Sequence, residues 1–195
     1  VILLDGVTTN KSGTFTEGDA FTSYLSSATL TDADSDPLVS LVMTCGGADW
    51  GTDGPDELIK FDTWVTDADT DLTDTLVVGS TTFQLAFVAL TGILTVTKSG
   101  GGTFPAADGQ ALQRLFQYAN SAEPPTTGAR TFTWVASDGT DNSTAAVLTV
   151  AVNVITDTVI DNLSRLSWGR TSVSFLRGEN TSQTQRLHIH TYAGN

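Results

Sequence analysis

The chain has 195 residues, a net charge of −13 and a hydrophobic fraction of 39%. That length and apolar content suffice for one large domain with a buried core, and they exclude a disordered chain. The acidic balance excludes a nucleic-acid partner and docking on an anionic membrane, and no apolar run reaches the roughly 18 residues of a membrane span.

Val1-Ile2-Leu3-Leu4 is apolar from the first residue. Buried, four such side chains are worth on the order of 6–12 kcal/mol before ordering costs, so a sheet should claim them. Two readings stand open: an ordinary first strand of the chain's own sheet, or a strand donated to the edge of a neighbouring copy. Residues 13–16 and 38–43 read as the next strands, then 58–61, 82–87 and 92–97, the last ending at the Ser99-Gly100-Gly101-Gly102 turn. One helix follows. Asp108 is placed to cap it, with Leu112, Leu115, Phe116 and Ala119 at i, i+3, i+4 and i+7 as its apolar stripe. Strands at 130–135 and 146–154 close the body, with Asp138-Gly139-Thr140-Asp141 as the turn between them. Short alternating strands separated by turn residues predict an all-β sandwich with one short helix and strand-rich extensions at both ends. The lone Cys45, in a strand pattern without a histidine neighbour, reads as a buried structural cysteine.

Charge divides the chain. Residues 1–155 carry nineteen acidic residues against five basic ones, a net −14. Residues 156–195 carry Asp157, Asp161 and Glu179 against Arg165, Arg170, Arg177 and Arg186, a net +1. Val173 and Phe175, then Leu187, Ile189 and Thr191, alternate with polar residues as in strands. The division predicts an N-terminal strand extension (1–12), a sandwich (13–155) and an arginine-bearing tail (156–195). The arginines are expected to dock on acidic surface, of the chain's own body or of a neighbouring subunit. Val1 to Leu4 and the four arginines are thus the candidate self-association residues.

Two acidic runs carry the clearest chemistry. Asp32, Asp34 and Asp36 alternate in Thr31–Pro37, and Asp67, Asp69 and Asp71 alternate in Thr66–Asp71. Three unpaired carboxylates so close repel one another unless a cation sits among them. Calcium suits such a site, being hard, oxygen-seeking and tolerant of irregular geometry. The alternative is a pair of solvated turns. An EF-hand fails on spacing: counted from Asp32, Pro37 and Met43 stand where glycine and glutamate are needed, and counted from Asp67, Leu72 and Val78 do.

Catalytic candidates are scarce, and the chain is not expected to be an enzyme. His188 and His190 lie two apart on one expected strand face with no third ligand nearby in sequence. Clustered carboxylates suit ions better than acid–base work, which wants separated pKa values. Gly100-Gly101-Gly102 is a turn, not a phosphate loop. Trp50 and Trp64 are candidate stacking faces for sugar. Asn10, Asn142, Asn162 and Asn180 begin glycosylation sequons.

From Phe15 to Ile155 the chain resembles the cadherin-like tandem repeats of large bacterial surface adhesins and related extracellular proteins. The resemblance rests on Phe15-Thr16-Glu17-Gly18-Asp19, Ala28–Ser35 with its acidic signature, Thr91–Val96, the segment Ala111–Asn120 and the strand Arg130–Gly139, in that order. It implies an extracellular, cadherin- or Ig-like β-sandwich that often binds calcium near its ends. Carried over, Glu17, Asp32, Asp34 and Asp138 match ligand positions of the motif. The chain departs from the pattern at Ile155-Thr156-Asp157-Thr158, which lacks the Asn-Asp linker, and at the second acidic run, which looks like an insertion.

The reading that follows is a structural subunit of an extracellular filament or surface layer. It would associate with copies of itself through terminal strands and be stabilised by calcium. The alternatives are a calcium-dependent adhesin or carbohydrate-binding module of a larger surface protein, with glycans as partners, or a virion surface protein.

Overall fold

A computed structural model describes residues 1–31 and 36–155, and they form an all-β sandwich. Its strands are β1 (Ile2–Leu3), β2 (Asn10–Thr16), β3 (Thr22–Ser23), β4 (Thr29–Leu30), β5 (Ser40–Gly46), β6 (Glu57–Phe61) and β7 (Trp64–Asp67). There follow β8 (Leu72–Val78), β9 (Thr81–Val88), β10 (Ile93–Lys98), the helix α1 (Ala106–Arg114), β11 (Phe116–Asn120), β12 (Gly128–Ser137) and β13 (Ala146–Asn153). A seven-stranded sheet runs β2-β13-β12-β5-β10-β9-β8, and a four-stranded sheet runs β3-β11-β6-β7. The pair β1-β4 stands apart from both sheets.

Period-two alternation decides which faces meet. Phe132, Trp134 and Ala136 of β12 point inward with Leu41, Met43 and Cys45 of β5 and Phe83, Leu85 and Phe87 of β9. The four-stranded sheet answers with Ile59, Phe61, Phe116 and Tyr118. Between the sheets the rings of Phe61, Phe116, Phe132 and Trp134 meet at centroid distances of 4.9–6.1 Å, mostly tilted or edge-on. Such aromatic pairs add about 0.5–1.5 kcal/mol each beyond their burial.

The N-terminal strand belongs to this body. β1 pairs antiparallel with β4, Ile2 opposite Leu30, and Ile2 and Leu4 are fully buried in the common core. The expected 1–12 extension is therefore no separate element: β2 crosses its boundary, and Val1–Ile155 forms one compact unit. The expectation of a donated strand at Val1 to Leu4 gives way to the ordinary alternative, because their own core already takes Ile2 and Leu4.

The helix is shorter than its periodicity suggests. It ends at Arg114, and Phe116 and Ala119 lie in β11, both buried. Pro105, not Asp108, stands at its N-cap. The Asp108 carboxylate instead accepts the Ser80 N–H at 3.1 Å, the Ser80 Oγ at 2.8 Å and the Thr81 Oγ1 at 2.7 Å, fastening the turn before β9. These bonds, led by that from Thr81, hold the Asp108 carboxyl below its usual range. Asp108→Ala should lower stability by about 1–2 kcal/mol at neutral pH. A depressed folded pKa gives stability that is complete above the unfolded value and lost as pH falls through the folded one. The gap between wild type and variant should thus close in acid, which melts at pH 7 and at about pH 2.5 will check.

The register also places the two ends of the body. β2 runs parallel to β13, with Asn10 beside Val147 and Thr16 beside Asn153. Val1 lines a shallow pocket with Ala136, Asp138 and Asn142, where β12 ends and β13 has yet to begin. Ile155 donates its N–H to Glu17 Oε2 at 2.9 Å, just past the far end of β2 and β13. Seven residue steps of β13 separate these poles, about 23 Å at 3.3 Å per residue.

Candidate functional site

Among the described residues, the carboxylates singled out by sequence do not converge. Asp67 Oδ1 accepts the Asp69 N–H at 2.9 Å and its Oδ2 accepts Thr70 Oγ1 at 3.0 Å, a closed turn. Asp71 reaches across to the Ala89 N–H at 2.7 Å. Asp69 lies against Gly54, where an added Cβ would come within 2.7 Å of its Oδ2. The second run is therefore the link from β7 in one sheet to β8 in the other, with its side chains holding that crossing.

Glu17 and Asp138 cannot share an ion, because they stand at opposite poles. Glu17 binds the Ile155 N–H. Asp138 Oδ1 accepts the N–H groups of Thr140 at 2.6 Å and Asp141 at 2.7 Å, and these bonds hold its carboxyl below the usual range. Asp36 is exposed beside Pro37. Asp32 and Asp34 lie outside the described residues, as do Arg165, Arg170, Arg177, Arg186, His188 and His190. Among the described residues, no three of His, Cys, Asp and Glu come together as a group able to hold a metal ion.

What the fold does assemble is a buried charge cluster at the Ile155 pole. Arg130, fully buried at the inward register of β12, donates from Nε to Glu57 Oε1 at 2.6 Å. Its Nη2 reaches Asp53 Oδ2 at 3.1 Å and its Nη1 the Thr126 carbonyl at 2.7 Å. Glu57, also fully buried, accepts Tyr118 Oη at 2.7 Å on the same oxygen and the Gly51 N–H at 2.7 Å on the other. Asp53 further accepts Asn120 Nδ2 at 2.6 Å and Thr126 Oγ1 at 2.6 Å. Burial works to raise the Asp53 carboxyl, but the Thr126 and Asn120 bonds and the Arg130 charge outweigh it and hold it below the usual range. Burial, then the Glu57 charge, pushes the Tyr118 phenol well above its usual range.

Both Glu57 oxygens accept hydrogen bonds, and the residue is fully buried. The cluster ties loop 47–56 to loop 121–127. Sequence reading passed over it, although a signal existed. Arg130 shares its register with Phe132 and Trp134, and Glu57 shares its own with Ile59 and Phe61. Two inward charges of opposite sign on different strands imply a buried pair.

No protein-family model matches this chain, nor does any curated protein or solved structure. Site chemistry must therefore speak alone. Trp64 is 3% exposed and packs against Phe61, so it is core and no sugar platform. Trp50 is half-buried, edge-on to Phe132, and its indole sits beside Gly92. Cys45 is 4% exposed, and burial pushes its thiol up. No described helix is long and apolar enough to cross a membrane.

The free edge of β2 is closed by its own neighbours. Thr8 Oγ1 donates to the Asn10 carbonyl at 2.6 Å, Tyr24 Oη donates to the Thr14 carbonyl at 2.9 Å, and the Thr16 N–H donates to Asp19 at 2.8 Å. Edge groups so engaged are blunted against an added strand.

Proposed function

We propose that this chain is a non-catalytic structural unit of an extracellular filament or surface layer, related in plan to cadherin-like repeats. The observation that carries this reading is the placement of the two ends. The described body begins at one pole and ends at the other, about 23 Å away along β13, so successive bodies can be joined in line. The clamps at the Ile155 pole stiffen that geometry: Glu17 holds the exit and the Arg130 cluster holds the two loops beside it. Linear contacts that do not close into a ring build open fibres.

Sedimentation velocity and electron microscopy of the full chain in millimolar calcium test the reading. Extended species that lengthen with concentration are expected. A compact species that never lengthens overturns it.

Calcium enters as a separate arm. An ion shared by Asp32, Asp34 and Asp36, as the first run implies, adds stability by RT ln(1 + [L]/Kd), about 2.7 kcal/mol at 100 times Kd. The melting temperature should then rise in calcium over chelator, and Asp34→Asn should remove the rise. Equal melting in both buffers removes calcium and leaves the linear reading standing.

A further inference from the structure

The seven-stranded sheet has a second face, turned away from the core. Its strands contain four charged residues, Lys11, Asp74, Lys98 and Arg130. Each occupies the inward register: Lys11 alternates with Phe15, Asp74 stands opposite Leu85, Lys98 opposite Phe83, and Arg130 alternates with Phe132. The outward register carries none. One row across it reads Val135, Val42, Thr95, Ala86 and Thr73 on adjacent strands. Three of these, Val135, Val42 and Thr95, lie in the middle of the sheet and stay partly exposed. In a chain that is 16% charged with a net charge of −13, this wide face without a single charge stands out.

We propose that this outer face docks on the same face of a second copy, sheet against sheet, as a closed pair. Electrostatics selects the partner. Two bodies of the same acidic sign repel wherever carboxylates oppose one another, and this face is where they can meet without opposed charges. Size agrees. Six inter-strand gaps of about 4.8 Å and some six residues of strand length give roughly 600 Å² per copy. The pair would bury roughly 1,200 Å², the lower end of specific interfaces. Two sheets stacked face to face lie about 10 Å apart at a small angle. A two-fold pair needs only one self-complementary patch. The face offers no aromatic ring on which a sugar would stack. The pair is independent of the linear reading above, because it closes at two copies and requires neither pole.

Sedimentation equilibrium of the full chain in chelator, up to about 0.2 mM, tests it, since a small interface without strong anchors is expected to bind in the micromolar range. Wild type should show a reversible monomer–dimer equilibrium. Val42→Lys, which sets two ammonium groups at the centre of the pair, should weaken it at least tenfold, while Leu90→Lys on the exposed loop should not. Thr95→Lys repeats the test on the neighbouring strand should Val42→Lys melt early. A wild-type chain monomeric throughout overturns the proposal, as does a folded lysine variant that pairs as tightly as wild type. Linear association grows without limit whereas this pair stops at two copies, so failure of the linear reading leaves this result untouched.

Discussion

Arg130→Met is expected to destabilise the body by about 3–5 kcal/mol, because it leaves Glu57 buried without its cation. For a domain of this size the melting temperature should fall by on the order of 10 °C. Tyr118 and the Gly51 N–H still bond Glu57 in the variant, but neither neutralises it. Glu57→Gln with Arg130→Met should therefore cost less than the two single changes added, since partners in one network are coupled. Urea unfolding of the four proteins measures this. A single-variant loss below about 1 kcal/mol would show that the cluster is solvated and no clamp.

The same cluster carries an acid signature. The Asp53 carboxyl is held below its usual range, so its contribution is complete above the unfolded carboxylate pKa. It is lost as pH falls through the lowered folded value.

Removal of residues 1–4 should cost about 3–6 kcal/mol, since Ile2 and Leu4 each leave a fully buried position. The loss should be the same at every protein concentration, because the strand fills its own core. A strand shared between copies would behave otherwise: truncation would abolish the concentration dependence of melting that it causes, whereas any dependence from face-to-face pairing of the outer sheet would survive truncation. Melts at two concentrations differing a hundredfold separate the cases. A concentration-dependent melt in the full chain that disappears on truncation would falsify the assignment of β1 to its own body.

Strand positions were largely legible in sequence wherever one face is wet and the other dry. β9, β10, β12 and β13 fall within a few residues of the segments that alternation marks. β8 escaped because its inward register begins Leu72, Asp74, with Asp74 exposed at the sheet margin. β11 was read in part as helix because Leu112, Leu115, Phe116 and Ala119 satisfy a 3.6-residue period by coincidence. Burial of Phe116 and Tyr118 between the sheets decides for strand. Gly92 illustrates a constraint that residue type only hints at. It sits at φ 63°, and a Cβ there would lie 2.6 Å from the Cys45 carbonyl oxygen.

The candidate site was less legible. Alternating aspartates look alike whether they gather round an ion or bond the nearest amides, because both uses need short side chains beside a turn. Asp67, Asp71 and Asp138 bond amides here. Which N–H a carboxylate finds depends on loops distant in sequence, as Asp71 with Ala89 and Asp53 with Thr126 show.

By itself, then, the sequence determined the class of fold, the acidic body and the lack of a membrane-length apolar run, since composition and period-two alternation are local properties. The tertiary structure alone decided that Ile2 and Leu4 close their own core and that Glu17 and Asp138 stand at opposite poles. It alone joined Glu57, Arg130 and Asp53, and turned every charge of the seven strands inward. Each of those outcomes rests on pairings between distant segments, and register between strands is a relation that no single stretch of chain contains.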